Sequence, residues 1–422
     1  MATEIISTTT LKATSSPPNH PNIIPLTIFD FAAPNFHVPI LYAFLPPTPS
    51  NESLKSGLSR VLSHFPHLAG RISSDHNRRP FIILNNYGVR VVETEISATL
   101  SETLPLDSNS NLSALHPHIG EGVEELLQIQ LNRYACGGLV IGTTSHHRVA
   151  DGQSMSVFFA AWAKMVRVGE APNPPPFLDR NAVVEPRNPP RCEFDHRSIE
   201  FKSSGTGSSI EATCTIKNLK VRFSSDFITK VKSGVRCSTF EALLAHLWRK
   251  ISAARGLKSN EATKVRVAVN GRARLKSPSI PTEFFGNLVL WAHPKSTVEE
   301  LTPATNAVSI IHEAVERIDD AYFRSFIDFG DQMNKGEDLA ATAPAMGNSL
   351  CPNLEVDSWL RFNFHDLDFG TGAPCAFLPP NLPVEGLMVF VPSMKEKGGV
   401  EVFMALAAEH VEQFKNICYS LD

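Results

Sequence analysis

Three things are scarce in this chain: excess charge of either sign, paired cysteines and long apolar runs. Its formal net charge is −4 over 422 residues, and no basic stripe stands out. That argues against nucleic acid as the main partner. Seven cysteines lie scattered at 136, 192, 214, 237, 351, 375 and 418, odd in number and never in a CxxC pair. A disulfide framework or a zinc site does not suit that spacing, whereas free thiols in a reducing compartment do. No apolar stretch approaches the ~18 residues that span a bilayer, so no membrane anchor is expected. Met1 to Pro18 is rich in Ser and Thr, has no Arg, and lacks the apolar centre of a secretory signal. The sequons at Asn51-Glu52-Ser53 and Asn111-Leu112-Ser113 then read as coincidence, and the expected location is the cytosol. No internal repeat is visible.

What is present is globular: 42% hydrophobic and 19% charged residues, enough apolar material for two cores. Strands are expected at Ile23 to Asp30, Ile40 to Leu45, Phe81 to Leu84 and Val89 to Val92, the last two flanking the turn Asn85 to Gly88. Leu54, Leu58, Val61 and Leu62 fall at helical spacing within Ser53 to Ser63, which Phe65-Pro66 ends. Leu126 to Leu131 and Leu139 to Thr144 read as a strand pair, followed by an apolar helix from Met155 to Val166. From Gly169 to Thr213 prolines cluster, and Ser203 to Ser209 is rich in Gly and Ser, which predicts a crossover between domains. The second half resumes with strands near Leu219 to Phe223, Val265 to Val269, Leu288 to Ala292, Leu387 to Val391 and Val400 to Leu406. Helices are predicted at Thr239 to Ile251, N-capped by Ser238, at about 303–318, and at Ala408 to Ile417. The expected organisation is an α/β fold: an N-terminal domain over 1–170, a crossover over 171–213, and a C-terminal domain over 214–422.

Chemistry concentrates where a buried strand gives way to a helix. His146-His147-Arg148-Val149-Ala150-Asp151-Gly152 sets two imidazoles, a cation and a carboxylate within a few positions. An imidazole with an ordinary pKa near ~6.5 accepts a proton at neutral pH, which suits a general base. Gly152 lets the chain turn sharply as it leaves the strand. A His-x-x-x-Asp pattern alone is weak, since a lone buried His is more often a core residue. A metal is not expected, because no third ligand lies at a familiar spacing.

A second motif, Asp368-Phe369-Gly370-Thr371-Gly372, lies far downstream. Together the two resemble the plant BAHD acyltransferases, whose marks are HxxxDG in mid-chain and DFGWG near the C-terminus. Pro25 to Asp30, Phe65 to Arg71, Ser238 to Arg249, Asn270 to Arg274 and Phe285-Gly286-Asn287 also resemble family segments, so the likeness runs nearly the whole length. It implies two similar-sized chloramphenicol-acetyltransferase-like domains meeting along a tunnel, with acyl-CoA as co-substrate, no permanently bound cofactor and a monomeric enzyme. It implies that His147 is the general base. It implies that Asp151 points away from the substrates to pair with Arg272, and that Asp368 is structural. The family's Trp in DFGWG is Thr371 here, which leaves the group that stabilises the oxyanion open.

Tyr322 to Phe329, Glu355 to Arg361, Leu382 to Leu387 and Phe414 to Asp422 resemble the branch of agmatine-coumaroyltransferase-like enzymes, which join hydroxycinnamoyl groups to amines. The implied reaction is acyl transfer from CoA to an amine such as agmatine, putrescine or tryptamine. A cationic acceptor calls for a carboxylate in its pocket. Glu385 is the first candidate, Asp357 the weaker one with Arg361 as its expected structural partner, and Thr371 a residue that widens the pocket. Alternatives are an alcohol-accepting O-acyltransferase, a peptide-condensation domain, which shares HHxxxDG but lacks carrier segments here, and a diverged lyase or binding protein.

Overall fold

The computed structural model describes residues 3–15, 23–76, 79–104, 112–201, 214–276, 279–333, 341–342, 347–362, 366–379 and 381–421. Two large mixed sheets carry the fold. The first runs in the order Thr3–Leu11, Val89–Ile96, Leu127–Tyr134, Leu139–His146, His37–Phe44 and Ala376–Leu378. The second runs Val289–Ala292, Ala262–Asn270, Leu354–Ser358, Leu387–Pro392, Val400–Ala407 and Ile216–Phe223, with Lys295–Thr297 paired to Ala262–Asn270. A small sheet joins Ile23–Pro25, Pro80–Ile83 and Arg71–Ser74.

Amphipathic helices cover one face of each large sheet. The helix Asn51–Leu62 starts on the Ser50 N-cap and buries Leu54, Leu58, Val61 and Leu62 against the helix Gly152–Val168. In the second half, Thr239–Ala254 opens with a capping box of Ser238 and Glu241 and buries Leu243, Leu244, Leu247, Trp248 and Ile251. The helix Ala304–Glu316 packs on it. The opposite faces of the two sheets look at each other across a cavity.

Several expectations need correction. Ile23 to Asp30 is not one strand: it breaks at Leu26, and the reciprocal capping of Thr27 and Asp30 starts the short helix Ile28–Ala32. Pro80–Ile83 and Val89–Ile96 are not a hairpin, because each pairs in a different sheet. The Ser/Thr-rich start holds the strand Thr3–Leu11, an edge whose partner is Val89–Ile96. Ala376–Leu378, from the second half of the sequence, pairs with His37–Phe44 of the first sheet. The crossover is no mere tether either: Arg180, Val183, His196 and Phe201 are buried, and His196–Glu200 is helical. Its Gly/Ser-rich part, Ser203 to Ser209, lies outside the described residues.

Candidate active site

The strand Leu139–His146 ends at the cavity, and the backbone N–H of His147 donates to the Phe36 carbonyl at 3.0 Å. The chain then turns and enters the helix Gly152–Val168, with Asp151 as its N-cap accepting from the Ser154 N–H at 2.9 Å. Strand end and helix start therefore fix both ends of the motif. Gly152 is hemmed in, since a Cβ there would lie 3.0 Å from the Phe362 ring.

Asp151 is spent on structure. Its Oδ1 accepts from Ser154 N–H and from Arg272 Nη2 at 3.1 Å, and its Oδ2 from Arg272 Nη1 at 2.8 Å and Leu288 N–H at 3.0 Å. Burial alone would raise its pKa, but the Arg272 charge and these hydrogen bonds outweigh it and hold the carboxyl below the usual range. Arg272 Nη2 also donates to Ser154 Oγ and to the carbonyls of Phe284 and Gly286. The pair thus bolts the motif to the second half of the chain.

His147 is left for chemistry. Its ring borders the cavity, while Nδ1 is buried. Nε2 is therefore the nitrogen presented to the open space. Burial lowers the pKa of the ring. The backbone carbonyl of His147, the charges of Asp151 and Asp30, and the acceptor oxygen of the Asn287 side chain oppose that lowering only in part. The imidazole is consequently neutral at neutral pH, as a base must be.

The cavity measures about 880 Å³, within the range that holds a drug-sized ligand. Strand register explains its second wall. Arg266, Ala268 and Asn270 alternate onto one face of their strand, beside Glu355 and Asp357, which are followed by Leu387 and Val389. Trp291, opposite Ala268, and Trp359 and Phe362 add aromatic surface. The Arg266 guanidinium stacks 3.5 Å above the Trp291 ring and pairs with Glu355 at 3.0 Å, so the charge of Glu355 is matched. Asp357 has no such match. Burial first, then the neighbouring Glu355 charge, pushes its carboxyl up to about 7 despite the pull of Arg266.

The structure brings His147, Gly152 and Asp357 to the cavity wall and sets Arg272 directly behind Asp151. It does not bring Glu385 there. Pro383, Val384 and Leu387 line the cavity, while the Glu385 carboxylate turns into the layer behind. There it pairs with Arg255 Nη2 at 2.6 Å and accepts from Ser349 Oγ at 2.7 Å. Thr371 is exposed and lines no part of the cavity. Asp368 accepts from the N–H groups of Gly370 and Gly372, both at 2.8 Å, and meets Arg167 at 3.4 Å, away from the cavity. Gly370 holds φ 108°, a left-handed turn that favours glycine. Arg361 is exposed, and the charges acting on Asp357 are those of Glu355 and Arg266 instead. Sequence reasoning assigned no role to Asp30, Arg180, Arg266 or Trp291, and quoted Asn287 only as part of a motif. Polar residues flanking apolar runs were the one signal available.

An imidazole thus borders a cavity between the two large sheets, in a segment fastened from behind by a buried ion pair. A model of the Transferase family matches residues 1–421, and the chain belongs to that family, the BAHD acyltransferases. It is an acyltransferase whose co-substrate is acyl-CoA. Tryptamine hydroxycinnamoyltransferase 2 of Oryza sativa subsp. japonica is 50% identical over 94% of this chain and 93% of that protein. Agmatine coumaroyltransferase-1 of Hordeum vulgare is 42% identical over 95% and 94%. The crystal structure of TRI101 of F. graminearum, complexed with coenzyme A and deoxynivalenol, matches with a TM-score of 0.77 over 93% of this chain and 97% of that one. At 18% identity that likeness is one of fold, and it agrees with the expected two-part α/β architecture.

Proposed function

We propose that this enzyme transfers an aromatic acyl group, of the hydroxycinnamoyl or benzoyl class, from CoA to the primary amine of an arylalkylamine such as tryptamine. The reaction needs little more than a base. The neutral amine attacks the thioester carbonyl, Nε2 of His147 takes the proton released as the C–N bond forms, and the tetrahedral intermediate expels the CoA thiolate. The proton then passes to that sulfur, leaving an amide and free CoA.

The observation that carries the acceptor assignment is the half-neutralised acidic pair in an aromatic wall. Glu355 is matched by Arg266, and Trp291, Trp359 and Phe362 supply flat apolar surface beside it. An aromatic ring is accommodated there, with the Asp357 carboxyl available to a distal N–H or O–H donor. A second, dicationic guest would meet the Arg266 guanidinium as well as Asp357. The unmatched Asp357 nevertheless favours a second reading, in which agmatine or putrescine places its far cation there. A 50%-identical relative named for tryptamine and a 42%-identical one named for agmatine support amines as the acceptor class. Among the described residues no helix is long and apolar enough to cross a membrane. We propose a monomer working in the cytosol, without nucleic acid or membrane as partner.

The test is a mass-spectrometric screen of purified enzyme. It crosses p-coumaroyl-, feruloyl-, benzoyl- and acetyl-CoA with tryptamine, tyramine, agmatine, putrescine and shikimate. An amide formed fastest with tryptamine or tyramine is expected. A preference for agmatine moves the assignment to the second reading, and an ester with shikimate alone overturns amine transfer.

A further inference from the structure

The wall proposed to read the acceptor carries a fixed cation of its own. In the strand Ala262–Asn270, Val265, Val267 and Val269 are buried in the core, which leaves Arg266, Ala268 and Asn270 on the cavity face. Burying a guanidinium is costly unless its charge and its N–H groups are met. Here Nη1 donates to Glu355 Oε2 at 3.0 Å, Nη2 donates to Thr342 Oγ1 at 2.8 Å, and the guanidinium carbon lies 3.5 Å from the centre of the Trp291 ring. Register fixes the ion pair as well, since Arg266 stands beside Glu355 in the neighbouring parallel strand. Only 11% of each of the two side chains is exposed. The cation is therefore pinned to the wall and does not step aside for a guest.

Asp357 follows Glu355 on the same face of its strand and also lines the cavity. Its charged neighbours are Glu355 and Arg266. With all three ionised, Arg266 cancels one of the two carboxylates and leaves a single negative charge for a guest. Glu200 feels the same guanidinium from outside the cavity lining, where Tyr322 Oη donates to it at 3.0 Å. Amines differ in what they bring to this wall. The attacking nitrogen must be neutral to react, so the wall reads the far end. That end is an uncharged indole in tryptamine, a guanidinium in agmatine and an ammonium in putrescine.

We infer that Arg266 is the specificity-determining residue of the acceptor site: by neutralising Glu355 and fixing a positive charge in the wall, it disfavours amines with a cationic far end and so favours an uncharged aromatic one. A built-in repulsive group is a general route to discrimination between related ligands. The inference rests on the proposed amine acceptor and is independent of the acyl group.

A charge effect has a sign that substitution reverses. Arg266→Gln keeps a polar side chain but leaves two carboxyls unmatched, which makes the wall more negative. Glu355→Gln leaves Arg266 unmatched, which makes it less so. The double variant restores the native net charge. The measurement is kcat/KM for amide formation from p-coumaroyl-CoA with agmatine and with tryptamine, at one pH, in native enzyme and the three full-length variants. Comparing the agmatine-to-tryptamine ratio across enzymes cancels the ionisation of the attacking amine and any general loss of activity. The ratio is expected to rise on the order of tenfold or more in Arg266→Gln and to fall by a similar factor in Glu355→Gln. In the double variant it is expected to return to within a few-fold of native. Should Arg266→Gln not fold, the fall in Glu355→Gln decides. A ratio unmoved in either folded single variant overturns the inference. So does a shift of the same sign in both, which reports altered packing, or a double variant that keeps the Arg266→Gln shift. No amide from any amine with the native enzyme overturns the amine reading itself, and the inference with it.

Discussion

Arg272 grips both carboxylate oxygens of Asp151, at 2.8 and 3.1 Å, and both side chains are almost wholly buried. The carboxylate of the HxxxD motif thus joins the two halves of the chain, and proton transfer is proposed for His147 alone. Asp151→Asn strands the Arg272 charge in a dry site. The expected cost is about 3–5 kcal/mol of stability, since breaking a buried pair leaves an uncompensated ion. Thermal denaturation reads it directly, and a normally stable variant would show that the pair does not hold the halves together.

Glu385 is expected to behave as a structural residue. Its partners, Arg255 at 2.6 Å and Ser349 at 2.7 Å, tie the end of the helix Thr239–Ala254 to the segment before Leu354–Ser358. Glu385→Gln is therefore predicted to lower the melting temperature while changing the KM values for tryptamine and agmatine in equal proportion. A selective rise for agmatine would return Glu385 to the acceptor site.

Asp357 is expected to act on the acceptor alone. Asp357→Asn should raise the amine KM roughly tenfold or more while leaving that for acyl-CoA unchanged, and should do so more for agmatine than for tryptamine. Its carboxyl titrates at about 7 and is ionised above that pH. The KM for agmatine should accordingly fall more steeply in the native enzyme than in the variant as pH rises from 6 to 8, since both share the dependence set by deprotonation of the amine itself. Parallel pH profiles of the two enzymes count against the assignment.

Stability should fall on the acid side through buried histidines. Burial lowers His146 to about 3 and His196 and His293 to about 4, against about 6.5 in the unfolded chain. A depressed folded-state pKa contributes stability that is present above pH 6.5 and lost as pH falls toward 4. Each such group costs up to about 1.4 kcal/mol per pH unit within that window. Melting temperatures measured from pH 7.5 to 5 should decline, and a flat profile would contradict the burial of these rings as neutral groups.

Much of the fold could be read from apolar periodicity. Leu54 to Leu62 and Thr239 to Ile251 signalled their helices because their buried faces recur at helical spacing. Thr3–Leu11 could not be read this way. It is an edge strand of mostly exposed Thr, Ser and Ile, and its register comes from Val89–Ile96. Leu354–Ser358 alternates apolar residues with Glu355 and Asp357, a pattern that looks like a surface strand until the second sheet encloses it. His147, Asp151 and Arg272 were legible because a motif carries them. The orientation of Glu385 was not, for Val384, Glu385 and Gly386 are all buried and only the tertiary fold decides which of them meets the cavity. Asp30, Arg180 and Asn287 meet from three distant stretches, and no local pattern announces such a meeting.

The proposed function stands on proton transfer by the cavity-facing imidazole of His147 as the acyl group passes to an amine. It is tested most directly by comparing native enzyme and His147→Ala for amide formation from p-coumaroyl-CoA and tryptamine, with circular dichroism confirming that both are folded. The expected rate is lower by about 10²–10⁴-fold in a variant that melts like the native protein. Substantial turnover by the folded variant would contradict it.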